Sequence, residues 1–129
     1  MIMNDNLTEK ELHKIIERRS TGKTSYAEFL DELSNSGITE YDIDVATGEA
    51  TYKGSHSEIK TDPQVDFVIS KDFDRNEALE IIGNMSLPFL DFLREIANAG
   101  IKTYTVNINE KKAIYEGIDG EQIVEQLRT

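Results

Sequence analysis

Apolar positions along this chain follow two rhythms, and the sequence of rhythms runs through twice. Leu12, Ile15 and Ile16, with Arg19, fall at helical spacing after Thr8 and Glu11, a capping-box pair, so a first helix is expected near 9–19. The loop 20–24 follows, and Ser25 is placed to cap a second helix at about 26–36, with Phe29, Leu30 and Leu33 as its buried stripe. Gly37 is expected to end that helix in a left-handed backbone conformation. The rhythm then becomes strict alternation, the mark of a half-buried strand. Across 38–45, Tyr41, Ile43 and Val45 point one way and Glu40, Asp42 and Asp44 the other, and a returning strand carries Ala50 and Tyr52 inward.

The second half repeats the plan. Asp74 and Glu77 form another capping pair, Leu79, Ile81 and Ile82 are periodic, and Ser86 or Leu87 leads into Pro88 at a helix start. Phe89, Phe92, Leu93 and Ile96 make the stripe and Gly100 the stop; Tyr104, Val106 and Ile108 then alternate with Thr103, Thr105 and Asn107, and Ala113 and Tyr115 return. Residues 29–54 and 92–117 align without a gap at an offset of 63, with 10 of 26 positions identical, which marks an internal duplication. The expected fold is α+β: two helix–helix–hairpin units, about 8–61 and about 74–129, fused as a pseudo-dimer in one domain. A mainly antiparallel sheet would carry the helices on its apolar face.

Parity sets an expected hairpin register. With the first turn centred on Thr47-Gly48, Val45 faces Ala50, Ile43 faces Tyr52 and Tyr41 faces Gly54. The second, centred on Glu110-Lys111, pairs Ile108 with Ala113, Val106 with Tyr115 and Tyr104 with Gly117; Glu-Lys suits a four-residue loop better than a tight turn. Residues 58–61 read as extended, and Val65, Phe67 and Ile69 alternate as a further short strand would. The tail 121–128 suits either a helical turn or an extended edge; consecutive Ile123-Val124 breaks the alternation and favours the helix.

Composition changes this picture only by exclusion. With 38% hydrophobic and 30% charged residues, the chain reads as globular. It has no Cys, which removes disulfides, thiolate nucleophiles and cysteine-ligated zinc. The N-terminal ten residues have neither the basic region nor the apolar run of a signal peptide, and no apolar run approaches membrane-spanning length, so a cytoplasmic protein is expected. A net charge of −11 argues against direct contact with nucleic acid or an anionic membrane, leaving a protein partner or a second copy as the expected kind of contact.

Candidate chemistry is sparse. Gly22-Lys23-Thr24 ends like a phosphate-binding loop, but Glu17 stands where its first glycine belongs and a helix precedes it. Asp42-Ile43-Asp44 opens like a calcium loop, but Ala46, Thr47 and Lys53 occupy positions that need a ligand, a glycine and a bidentate Glu. The row Glu40, Asp42, Asp44 could dock a basic partner or simply face water. His13 and His56 are the only histidines and neither has metal-ligand spacing, so no metal or other cofactor is expected. No nucleophile elbow accompanies His56, and the reading leans away from an enzyme. Tyr41, Tyr52, Tyr104 and Tyr115 recur in both halves: either they fill the core, or with His56 they line a small pocket at the junction of the repeats.

The repeated pattern Y-x-x-F-L-x-x-[LI]-x-x-x-G-I-x-x-Y-x-[IV], closed by Y-x-G, is carried by Tyr26, Phe29, Gly37, Tyr41, Tyr52 and Gly54. Phe89, Phe92, Gly100, Tyr104, Tyr115 and Gly117 echo it, with Phe89 replacing Tyr26. Over nearly its whole length the chain resembles the YbcV-like group of small bacterial and prophage proteins, labelled "phage envelope protein". The resemblance implies a mobile-element setting and no particular activity. The expected function is therefore a non-catalytic binding or assembly module, with a small-ligand-binding protein or weak enzyme built on the tyrosines as the alternative.

Overall fold

A computed structural model describes residues 9–55, 58–84 and 87–127. In chain order these form α1 (Glu9–Ser20), α2 (Tyr26–Asn35), β1 (Ile38–Asp44), β2 (Ala50–Gly54), β3 (Glu58–Lys60), α3 (Arg75–Ile82), α4 (Phe89–Asn98), β4 (Ile101–Asn107), β5 (Lys112–Gly117) and β6 (Gln122–Gln126). The fold is α+β. The six strands make one antiparallel sheet in the order β3-β2-β1-β4-β5-β6.

The duplication dictates how the sheet closes. In the β1–β4 pairing Tyr41 lies opposite Val106, Asp42 opposite Thr105 and Ile43 opposite Tyr104. Adding 63 to each β1 number, and removing it from each β4 number, returns the same three pairs. The register is therefore unchanged when the repeats are exchanged, and a pseudo-twofold axis passes through the Asp42–Thr105 pair. Each hairpin satisfies one edge of its inner strand with its twin, which an isolated one-sided hairpin could not do.

The helices are placed by their caps and stripes. Ser25 and Glu28 form a capping box at α2, and Asp74 accepts from the Glu77 amide at α3. Thr8, the expected cap of α1, lies outside the described residues. The Arg18 guanidinium grips the Glu32 carboxylate at 2.7 and 3.1 Å, tying α1 to α2. Leu12, Ile15, Phe29, Leu30 and Leu33 from the first repeat, and Ala78, Ile81, Ile82, Leu93 and Ile96 from the second, are buried in one core against the inner sheet face. Gly37 (φ 93°) and Gly100 (φ 90°) turn each helix pair into its strand. The stripes run shorter than their periodicity suggested: Leu79 and Phe89 are exposed, Phe89 by 43%.

Four local expectations are corrected. Both hairpins keep the predicted faces but shift by two residues. Ile43 faces Ala50, Tyr41 faces Tyr52 and Ile38 faces Gly54; in the second repeat Val106 faces Ala113, Tyr104 faces Tyr115 and Ile101 faces Gly117. The loops cause the shift, since each is centred one residue earlier than expected, on Ala46-Thr47 and on Asn109-Glu110. Gly48 N–H bonds the Asp44 carbonyl across the first, and Lys111 takes φ 56° in the four-residue second. The strand glycines answer close packing: a Cβ on Gly54 would lie 2.5 Å from the Gly37 carbonyl oxygen, and one on Gly117 would lie 2.6 Å from Glu121 Oε1 and 2.8 Å from the Phe73 ring. Residues 65–69 are not a strand; they run as a strap whose amides bond the carbonyls of Thr47 and Ala46, with Val68 86% exposed. The tail is strand β6, not helix, because the open edge of β5 offers a hydrogen-bonding ladder that a short isolated helix cannot match. Consecutive Ile123 and Val124 then simply face opposite sides, and Val124 stays 60% exposed.

Candidate functional site

Alternation sends Tyr41 and Tyr52 from β1 and β2, and Tyr104 and Tyr115 from β4 and β5, to the inner face. The two repeats pack them alike. Tyr41 and Tyr52 ring centres are 5.3 Å apart at 34°, and Tyr104 and Tyr115 are 5.0 Å apart at 30°. Phe29 meets Tyr41 edge-on at 6.3 Å, as Phe92 meets Tyr104 at 6.0 Å. The rings therefore belong to the core, and what chemistry they have sits at their hydroxyls.

One of those hydroxyls, that of Tyr41, is met from the first turn of α2. Tyr26 reaches back from that turn so that its oxygen lies 2.7 Å from that of Tyr41. On the other side Tyr115 donates to Glu125 Oε1 at 3.2 Å, Glu125 being half-buried on the inner face of β6 opposite Ala113. Burial raises the pKa of every phenol in the group, Tyr26 to about 12. Nearby phenols add to the effect, Tyr26 among those acting on Tyr41, Tyr52, Tyr104 and Tyr115. Desolvation likewise raises Glu125, with the Tyr115 hydrogen bond opposing. The Arg19 guanidinium lies 5.6 Å from the Tyr26 ring centre and bonds the Thr24 carbonyl at 3.3 Å.

Two hydroxyls differ from the rest. Tyr52 and Tyr104 are each only 6% exposed, and neither oxygen has a hydrogen-bond partner among the described residues. An unpartnered hydroxyl on a nine-tenths-buried side chain is a ready position for an incoming hydrogen bond.

The other candidates lie elsewhere. Glu40, Asp42 and Asp44 sit on the outer sheet face against Asn107, Thr105 and Thr103. Asp42 is engaged there, accepting from Thr105 Oγ1 at 2.7 Å and pairing with Lys53 Nζ at 2.8 Å, and Asp44 accepts from the Ala46 amide at 3.0 Å. His13 is exposed on α1. His56 lies outside the described residues. Among the described residues no three or more His, Asp or Glu are grouped to hold a metal ion, and no helix is long and apolar enough to cross a membrane.

Sequence reasoning reached four of the tyrosines but missed Tyr26 as their hydroxyl partner, and missed Glu125. Strand parity could have found the latter, since any strand that buries Ile123 turns Glu125 the same way.

Comparison with curated proteins returns no match. Residues 13–126, which include both repeats and all five tyrosines, match the family described as "Protein of unknown function (DUF1398)", and the chain belongs to that family.

Proposed function

We propose that this protein binds a small ligand at the hydroxyl cluster between its two repeats. The observation that carries the reading is the pair of hydroxyls on the buried Tyr52 and Tyr104 that have no partner among the described residues. Beside them, the Tyr26–Tyr41 pair and Glu125 add further groups that can donate or accept within the same neighbourhood. Orientation is fixed in advance, because each ring is locked by its aromatic neighbours and loses little freedom on binding. A cytoplasmic setting and a mobile-element origin are part of the same proposal; they rest on the sequence and on the phage-envelope resemblance.

A second reading, an assembly module that docks a protein partner or a second copy, is supported by the outer sheet face. There Val124 stands exposed opposite Ile114 on the edge strand, a few strands from the Glu40, Asp42 and Asp44 row.

Replacing Tyr52 and Tyr104 together by Phe tests the first reading. Each change removes one oxygen that bonds no protein group, so the fold is expected to survive with stability altered by less than about 1 kcal/mol. Native mass spectrometry of the protein drawn from its own cytosol should show an added mass that the double variant lacks. A wild-type chain that carries nothing, or an adduct retained in full by the variant, would contradict ligand binding at this cluster.

A further inference from the structure

The two ends of the sheet are finished differently. At one end β3 has three residues, carries the exposed charges Glu58 and Lys60, and runs on to Pro63. A short, charged edge followed by proline discourages a further strand. At the other end β6 has five residues in unbroken register with β5 and contains no proline, lysine or arginine. Its outward side chains, Gln122, Val124 and Gln126, are all exposed and uncharged, Val124 by 60%. Its one charge, Glu125, is turned inward and accepts from Tyr115 at 3.2 Å.

Hydrogen-bond parity shows what that edge offers. Gly117 N–H bonds the Glu121 carbonyl and Leu127 N–H the Lys111 carbonyl, both at 2.7 Å. The odd-numbered residues of the strand thus direct their backbone groups to β5, and Gln122, Val124 and Gln126 direct theirs to the open side. Among the described residues one side chain reaches them: Arg75 donates to the Gln122 carbonyl at 3.3 Å, and that oxygen keeps a second lone pair. The Gln126 side-chain amide donates to the Lys111 carbonyl at 2.9 Å, which draws it back toward the β4–β5 turn and away from the edge.

Such a ladder takes an antiparallel strand, and the strand that fits is β6 itself. Centred on Val124, a pair of copies sets Val124 against Val124 and Gln122 against Gln126 about a twofold axis. On the outer face Val124 already lies beside Ile114, so the join makes one apolar row, Ile114–Val124–Val124–Ile114, from side chains exposed in the single chain. Each flanking row runs from Lys112 of one copy, through two glutamines, to Glu116 of the other, with opposite charges at its ends. On the inner face Glu125 comes opposite Ile123 of the second copy, one residue from the Gln122 carbonyl that holds Arg75. No like charges stand directly opposite each other, which matters between chains of net charge −11. The match of this strand to its own reverse favours a second copy over an unrelated extended peptide.

We propose that two copies of this chain join through β6, edge to edge and antiparallel about Val124, so that the sheet continues from one molecule into the next. The inference rests on the assembly reading above, which it narrows to one occupant and one edge, and not on the ligand-binding reading.

A five-residue join buries less than the roughly 1,200 Å² of a standard interface, so the dimer should dissociate on dilution. Sedimentation velocity of the full chain, run from about 1 μM to about 1 mM, should move reversibly from the 14.6-kDa monomer to twice that mass. Over the same range, hydrogen exchange should slow at the Val124 and Gln126 amides, which point to the open side. Val124→Lys sets two like charges face to face and should weaken association at least tenfold. Val124→Pro removes an N–H directed away from β5, so circular dichroism should be unchanged while the dimer is lost. Should Val124→Pro lose its fold, Val124→Lys, which alters only an exposed side chain, decides alone. A chain that stays monomeric throughout, whether or not an unrelated peptide protects the same amides, would overturn the proposal. So would a dimer whose Val124 and Gln126 amides exchange as in the monomer. A dimer undiminished in Val124→Lys would keep the assembly reading but overturn this join. The adduct followed in the Tyr52→Phe, Tyr104→Phe protein decides the ligand-binding reading separately.

Discussion

Tyr41 and Tyr104 show what burial does to a group that also has chemistry. Their rings fill space that the sheet and helices would otherwise leave empty, while their hydroxyls are held neutral by the same desolvation. The sign of the resulting pH dependence follows directly. An ordinary phenol ionises near pH ~10, and every phenol here is raised above that in the folded chain, Tyr26 to about 12. Folding therefore retains protons that the unfolded chain would release. The stability this gives is whole below the unfolded value and is lost as pH climbs toward the folded ones. Absorbance at 295 nm reads these groups without background, because the chain has five tyrosines, all in the cluster, and no tryptophan. We expect no phenolate step near pH 10 in the native protein, and a single alkaline rise that coincides with loss of far-ultraviolet circular dichroism. A tyrosine titrating at its ordinary value in the folded state would contradict the packing described.

At the scale of the element, the helix-to-strand junctions carry the most demanding backbone. Gly100 and Gly120 both have positive φ, but a Cβ on Gly100 would sit 2.7 Å from Phe73 Cα and 2.8 Å from the Asp72 carbonyl, whereas one on Gly120 meets open space. Gly120→Ala should therefore lose only the left-handed backbone penalty, about 1 kcal/mol. Gly100→Ala should lose that and the displacement of the 72–73 backbone as well, about 2 kcal/mol or more. Urea denaturation of the two variants measures the difference, and similar losses would show that the 72–73 backbone yields without resistance. The helices, the caps of α2 and α3 and the stop glycines were readable from local pattern, whereas the hairpin register was not. Parity survives a two-residue slip, so alternation alone could not separate Ile43–Tyr52 from Tyr41–Tyr52. Loop conformation made that choice, through Gly48 and Lys111.

For the whole molecule, the central fact is that β1 and β4 join the repeats edge to edge about the Asp42–Thr105 pair, where a Thr105 hydroxyl bonds its own counterpart position at 2.7 Å. One sheet and one core run through both halves, so the two are expected to unfold together. Ile43→Ala, at this seam and fully buried, should cost about 2–4 kcal/mol. Native-state hydrogen exchange should then show β5 amides in the other repeat losing as much protection as those of β2; protection lost in the first hairpin alone would mean that the halves unfold independently. The sequence by itself determined the duplication, the α+β class, the inward residues of the strands and the caps of α2 and α3, because each is written in local periodicity or in chemistry within one turn. Only the tertiary structure decided the strand pairing at the seam, the strand at the C-terminal edge, and the meetings of Tyr26 with Tyr41 and of Tyr115 with Glu125. Those depend on which open ladder and which buried polar group lie within reach once the twins have packed, and no local pattern along the chain records that distance.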